Sequence, residues 1–556
     1  MKHSRRPVRR LARTLGMAIV CLLSVHCTGQ GESAPPAARG PGAAAGLDQG
    51  WRPDVAAWWW HVSQGTVFMP FEWFVALEQA HGDALFAATD HLERLGFIAD
   101  RSGPNNPRGL PVGFTSRPLD IPSRPPYQFW KGEWVGFGCA ACHTGQLRHR
   151  GRQIVLEGGP SHLDIETFGD ELAAALAATA TSEAKFTRFA RRVLQSGVQT
   201  TPQALRESFT KFVQDQVARR SLFEGAQGAA AEEPTVAGLG RLDAVHRGGN
   251  LLLAAPLAEP RNYVPTTAPV SFPALWDTPH MDWVLYNASI RQPLARNVIE
   301  ALGVGAPVDP KTFLSERIDH AVPMDNIVAI HRALAQLRSP RWPEAILGPI
   351  DAAKAARGEA VYRQACAGCH AVIDRSTHRP VGAAVARDAL HPIAVTVVPL
   401  EEIGTDPRQA RNFAARVVSL EKIGGPARIA YKDAAQAVSS GVVDQWKAGS
   451  PANAETERAV NQGIVNEFRG LLAYRARPLN GAWATAPYLH NGSVPSLYDL
   501  LLPPAQRPRI FHVGSWEFDP VNVGVESGSP FPGAFTFDTR LPGNSNAGHA
   551  YGTDLP

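Results

Sequence analysis

Apolar positions recur along this chain in patterns that change with region. Leu15 to Val25 is a short apolar stretch with a basic segment before it. Stretches near residues 68–96, 163–195 and 202–220 mix apolar and polar positions in the manner of helices and are predicted as such. Ala352 to Tyr362 reads as an amphipathic helix, with Ala352, Ala355, Ala356, Gly358 and Tyr362 on a face able to pack closely. The segment 338–349, through Ser339-Pro340-Arg341-Trp342-Pro343 to Pro349, reads as a linker. The final stretch, 477–556, is rich in Pro, Gly and Asn and is predicted to be mostly irregular. It also carries Phe511, Trp516, Phe518, Phe531, Phe535 and Phe537. So much aromatic surface has to be buried, so the tail is expected to wrap the rest of the chain.

Composition sharpens this picture. The chain has 556 residues, more than one compact domain usually holds. Hydrophobic residues at 44% and charged residues at 19% exclude a mainly disordered protein. With 46 prolines and 50 glycines, much of the chain is expected as loop between short helices. The net charge of +4 comes from the leader. Six of the 55 basic residues (Lys2, Arg5, Arg6, Arg9, Arg10, Arg13) lie in residues 1–27, which hold no acid; the remaining 49 face 51 acidic residues. The charge is therefore no argument for nucleic-acid binding.

Residues 1–27 have the three parts of a secretory signal. The apolar stretch is about half of the ~20 residues a spanning helix needs, and no later segment is long enough, so no membrane span is expected. Cys27 precedes a Gly/Ala/Pro-rich tether, residues 28–50. That resembles a bacterial lipoprotein acylated at Cys27, although Ser24-Val25-His26 departs from the small residues expected there. Ordinary cleavage after Cys27 is the alternative. Either way the protein is expected in the periplasm or cell envelope, or secreted.

Four of the six cysteines carry the chemistry. Cys139-Ala140-Ala141-Cys142-His143 and Cys366-Ala367-Gly368-Cys369-His370 both read C-x-x-C-H, the attachment pattern of haem c. Two thiols three positions apart meet the two vinyl groups of one porphyrin, and the adjacent histidine comes under the iron. A thioredoxin-like pair needs a βαβ setting that is not visible. A zinc ribbon needs closer pairs. Disulfides leave the two following histidines as coincidence. Two covalent haems c are therefore expected, each in its own domain: 51–337 for the first and 350–556 for the second. Covalent attachment to an exported, unfolded chain favours the general secretory route over twin-arginine export.

Further segments carry a resemblance. They are Asn106 to Phe114; Cys139 to Gln146 with Glu157-Gly158-Gly159-Pro160; Leu275-Trp276-Asp277-Thr278-Pro279; Arg296-Asn297; Ile403 to Pro407; and Arg477 to Ser493. Through these, residues 51–556 resemble the di-haem cytochrome c peroxidase superfamily, and within it the long branch that contains the rubber oxygenase of the RoxA type. The resemblance implies a mainly α fold of two fused cytochrome c-like haem domains, with extensive irregular loops and an irregular C-terminal tail. It implies an open, reactive haem on His143 that binds peroxide or O2. It implies a second haem on His370 that moves electrons and takes a distal ligand from the tail, with His549 the expected residue. Tyr474 stands as the alternative distal ligand, and His490 reads better as structural. No methionine follows Cys369, so a distal Met is not expected. Trp276 is the expected aromatic relay between the haems, with Trp283 and Tyr286 as rivals. Where rubber oxygenase depends on a phenylalanine over the first haem, this chain has Ile290-Arg291. That departure favours peroxide chemistry, with Arg291 offsetting negative charge on the oxidant. The expected partners are a small oxidant and an electron donor. Cleavage of polyisoprene or another alkene, and pure electron transfer, are the rival functions.

Overall fold

A computed structural model describes residues 45–119, 130–228, 232–381 and 392–553. The leader, Cys27 and most of the tether lie outside them. The helices over 163–195 follow local capping rules. The run over 163–195 is two helices, Ile165–Thr181 and Glu183–Gln195. Asp164 opens the first by accepting from the Thr167 amide at 2.9 Å, and Ser182 opens the second by accepting from the Lys185 amide at 3.4 Å. Pro202–Gly228 is the third. The run over 68–96 is broken: Met69–Pro70 is a strand, and only Phe71–Ala76 and Thr89–Arg94 are helical. The helices close on Trp73, which is fully buried and lies 5.0 to 6.2 Å from the rings of Trp130, Phe189, Phe209 and Phe212.

Two small sheets bracket the first cysteine pair. Glu133–Phe137 lies between Met69–Pro70 and Phe114–Pro118, antiparallel to both. Thr144–His149 pairs antiparallel with Arg152–Glu157, which also takes Ala45–Gly46 in parallel. Elsewhere helices Pro293–Gly303 and Tyr431–Ala448 share one apolar core through Leu294, Val298, Val438 and Val442. That core joins residues from before and after 338–349. Within 338–349, Trp342 sits 5.5 Å from Trp483 and 6.0 Å from Phe518.

The expectation of a mainly α fold built from two fused cytochrome c-like domains does not hold. Helices make up 39% and strands 15%, the strands spread over many two- and three-stranded sheets. Ala43–Pro556 forms one compact unit. Frequent Gly and Pro keep helices short, and the loops between them pair by brief antiparallel contacts. The helix expected at 352–362 forms as Ala352–Ala365, but none of its residues is buried. Among the described residues, no helix is long and apolar enough to cross a membrane.

The C-terminal stretch is largely loop, with short strands that pin it. Ile510–Val513 pairs with Phe535–Asp538, and Phe511 stacks on Phe537 at 4.7 Å. The Arg148 amide donates to the Trp516 carbonyl at 2.6 Å, tying the tail to the first sheet region. Phe537 is fully buried, and the Arg241 guanidinium lies 4.4 Å above its ring. Phe537→Ala is therefore expected to cost about 3–5 kcal/mol, the range for a buried phenylalanine. Chemical denaturation checks this; a tail that contributed no core would show no change.

Candidate haem centres

The first attachment motif is one tight turn. Cys139–Ala141 is a 3-10 turn, and the His143 amide donates to the Cys139 carbonyl at 3.0 Å. Ala140 and Ala141 are buried. A Cβ on Gly113, whose φ is +89°, would overlap the Ala141 backbone. The small residues between the cysteines thus let the turn seat against the strand that begins at Phe114. His143 donates from Nδ1 to the Pro273 carbonyl at 2.9 Å, which leaves Nε2 with its lone pair. Burial pushes the imidazole down to about 4 and the Cys142 thiol up to about 12, so both groups are neutral. Cys139 donates from Sγ to Gln64 Oε1 at 3.1 Å.

Charged groups surround this turn. Arg296 and Glu300, one helical turn apart on Pro293–Gly303, both act on Cys139, and Arg247 acts on Cys142. Glu300 presents accessible surface, yet the surrounding protein desolvates its carboxyl and raises its pKa. Arg296 is buried, and its Nε donates to Asn297 Oδ1 at 2.9 Å.

The second motif follows helix Ala352–Ala365, which Asp351 caps. The Cys366 amide continues the helix onto the Tyr362 carbonyl, and the Tyr362 hydroxyl donates to the His370 carbonyl at 2.7 Å. His370 donates from Nδ1 to the Arg477 carbonyl at 2.6 Å. The ring faces a cavity with ≈1240 Å³ of unfilled space, counting its open mouth, and mostly apolar walls. Phe272, Trp276, Tyr286, Tyr474 and Leu500 help to line it, and Arg475 and Arg477 bring the charge.

His549 stands on the same cavity, its ring centroid 6.1 Å from that of His370. Two imidazoles each about 2 Å from a shared metal place their ring centres about 6 Å apart, so this pair fits a bis-histidine haem. Burial pushes His549 down to about 4, and the adjacent His370 adds to the shift. A neutral imidazole is the form that ligates iron. His549 has a φ of +47°, a conformation that costs a non-glycine residue about 1–3 kcal/mol. Its amide donates to the Ile403 carbonyl at 2.8 Å. Arg507 donates to the carbonyls of Asn546, Gly548 and His549 at 2.7 to 3.0 Å. A Cβ on Gly548, whose φ is +69°, would overlap the backbone of Gly404.

The rival ligands are engaged otherwise. Tyr474 lines the cavity, but its hydroxyl donates to the Asp406 carbonyl at 2.7 Å. His490 stacks on Tyr474 at 4.2 Å and is pushed down to about 3, first by burial and then by the charge of Arg241. Trp276 is buried and lines the cavity; its indole donates to the Asn480 carbonyl at 2.8 Å. The Asn480 amide in turn holds Asp277, which also pairs with His378. Arg291 lies 5.6 Å from the Trp283 ring, on which Arg469 also stacks, and its Nε is buried without a partner. The structure thus brings His549, Tyr474, Tyr286 and Trp276 to one cavity and puts Arg291 in a separate cluster with Trp283. Sequence reasoning missed Arg247, Glu300, Arg477 as a tether and Arg507. Arg296 and Arg477 stood in segments that carried the resemblance, but neither was given a role there.

Gly548→Ala and Arg507→Ala are each expected to displace His549 from His370. In haem-loaded protein both should convert a low-spin EPR signal to high-spin, as His549→Ala should, while Tyr474→Phe should leave it unchanged. Retention of the low-spin signal in His549→Ala overturns this pairing.

Residues 473–512 match a family model described as RoxA-like, cytochrome c-like. That segment holds Tyr474, Arg475, Arg477 and His490, a wall of the cavity around His370. The chain is 37% identical to the uncharacterised protein y4iJ of Sinorhizobium fredii (strain NBRC 101917 / NGR234), over 92% of this chain and 89% of that protein. It is 27% identical to the uncharacterised protein y4iM of the same organism, over 50% of this chain and 56% of that one. The chain belongs to the family of protein y4iJ, and residues 473–512 mark it as RoxA-like and cytochrome c-like.

Proposed function

We propose that this protein is an exported oxidoreductase with two covalent haems c that activates a small oxidant, peroxide or O2, at the Cys139/Cys142/His143 centre. Cys366, Cys369, His370 and His549 would hold a second haem, which would supply electron transfer. The observation that carries this reading is the contrast between the two histidines. His370 faces a second imidazole at 6.1 Å across an apolar cavity, the setting of an electron-transfer haem. The first centre has a buried guanidinium and a desolvated carboxyl beside Cys139, the setting for a polar oxidant. Haem c supplies redox-active iron, whose potential the axial ligands tune over about 0.8 V.

The chain's own residues divide the remaining work. His143 and His370 are held in one tautomer by carbonyls. Arg296 supplies positive charge where a departing oxygen gains negative charge. Glu300, whose carboxyl is desolvated by its surroundings and has a raised pKa, is the candidate proton carrier beside it. Arg291 remains a candidate for the charge role from within the Trp283 cluster, and Trp276 for the relay. The second reading, O2-dependent cleavage of polyisoprene or another alkene, is favoured by the RoxA-like match alone.

Reduced protein is expected to bind carbon monoxide at one haem only; a pure carrier with both irons six-coordinate should bind none. With a reduced donor, Arg296→Ala is expected to slow peroxide turnover about 10²-fold, the scale of one lost charge-stabilising contact, with haem content and the low-spin signal unchanged. Product formation from polyisoprene without peroxide turnover overturns the peroxidase reading in favour of the oxygenase.

A further inference from the structure

The two attachment histidines are joined through one side chain. His143 donates from Nδ1 to the Pro273 carbonyl at 2.9 Å, and His370 donates to the Arg477 carbonyl at 2.6 Å. The Arg477 guanidinium then turns back onto the segment that holds His143. Its Nη1 donates to the Ala274 carbonyl at 2.8 Å and its Nη2 to the Trp276 carbonyl at 3.2 Å. Its Cζ lies 5.9 Å from the Trp276 ring centre. A continuous run of covalent and hydrogen bonds therefore links the two rings, through Pro273, Ala274 and Arg477. No comparable link comes from Arg475, two residues away. That side chain donates to the Leu285 carbonyl and Met281 Sδ instead.

We propose that Arg477 is a positioning residue that tunes both haems at once, an inference that rests on the two-haem reading above. Its carbonyl orients His370. Its guanidinium fixes the Pro273–Trp276 segment, which orients His143 and carries Trp276. The charge matters as well as the contacts. Burying a guanidinium is costly, and a neutral side chain of similar length would fill the same space without that cost. The charge is met nearby by Asp277. Its charge acts on His370, and its hydrogen bonds hold the segment that orients His143; positive charge near an iron favours the reduced state, because one added electron lowers the net charge of the centre.

Potentiometric titration tests this, followed by visible absorption and EPR, in wild type, Arg477→Gln and Arg477→Lys. Each haem takes one electron from dithionite and returns it to ferricyanide. A pyridine haemochrome assay first counts the haems. With two present, both midpoint potentials should fall in Arg477→Gln, and Arg477→Lys, which keeps the charge and a donor, should restore most of each shift. The iron–histidine stretching band of the His143 centre should also move in Arg477→Gln, although residue 477 does not touch His143. A shift at the His370 centre alone, or at neither, overturns the inference and leaves the two-haem reading standing. Arg477→Lys as perturbed as Arg477→Gln, or unable to retain haem, overturns it too. A wild-type count below two overturns the two-haem reading and the inference together.

Discussion

Each attachment histidine gives its Nδ1 proton to a backbone carbonyl, His143 to Pro273 and His370 to Arg477. This constraint decides much of the surrounding architecture. It sets the tautomer, aims Nε2 away from the carbonyl, and makes the segments 271–277 and 473–480 parts of the centres they back. Those segments also share Arg477, Trp276 and Asn480. A displacement of either strand is felt at both histidines.

The same region concentrates positive charge that is buried or half-buried. Arg241, Arg475 and Arg477 border or back the second cavity, and Arg296 borders the first turn. Burial lowers the pKa of all four, to about 9 for Arg241 and Arg475. Arg241 keeps two guanidinium nitrogens without partners, an expensive arrangement inside a core. Backbone carbonyls satisfy most of the others. Haem carries two propionate anions, and a ring of arginines around an apolar cavity is a suitable counter-charge for them.

The tail works as a structural member rather than an appendage. Phe511 and Phe537 fix it by stacking, Asn491 holds it through the Gly543 and Ser545 carbonyls at 3.0 Å, and Arg507 cradles the turn at 546–549. These contacts hold a histidine with positive φ at the end of a chain segment with little regular structure. The strain persists because several independent bonds over-determine it.

Local chemistry was legible from the residues themselves. C-x-x-C-H points to haem c because two thiols at that spacing suit the two vinyl groups of one porphyrin. The aromatic tail declares its burial through sheer apolar area. The chain did not disclose the small sheets, many of whose strands are two residues long and too short to show an alternating pattern. It left His549 and Tyr474 open as ligands, because that choice depends on a hydroxyl meeting the Asp406 carbonyl and on an arginine holding a turn about forty residues on. It pointed to Arg291, which the tertiary structure puts against Trp283, while Arg296 and Glu300 act on Cys139 from the helix that starts two residues later. Attachment chemistry is written in adjacent residues and can be read there. Ligand geometry, charge placement and the shared tether at Arg477 come from segments hundreds of residues apart, and only the folded chain brings them together.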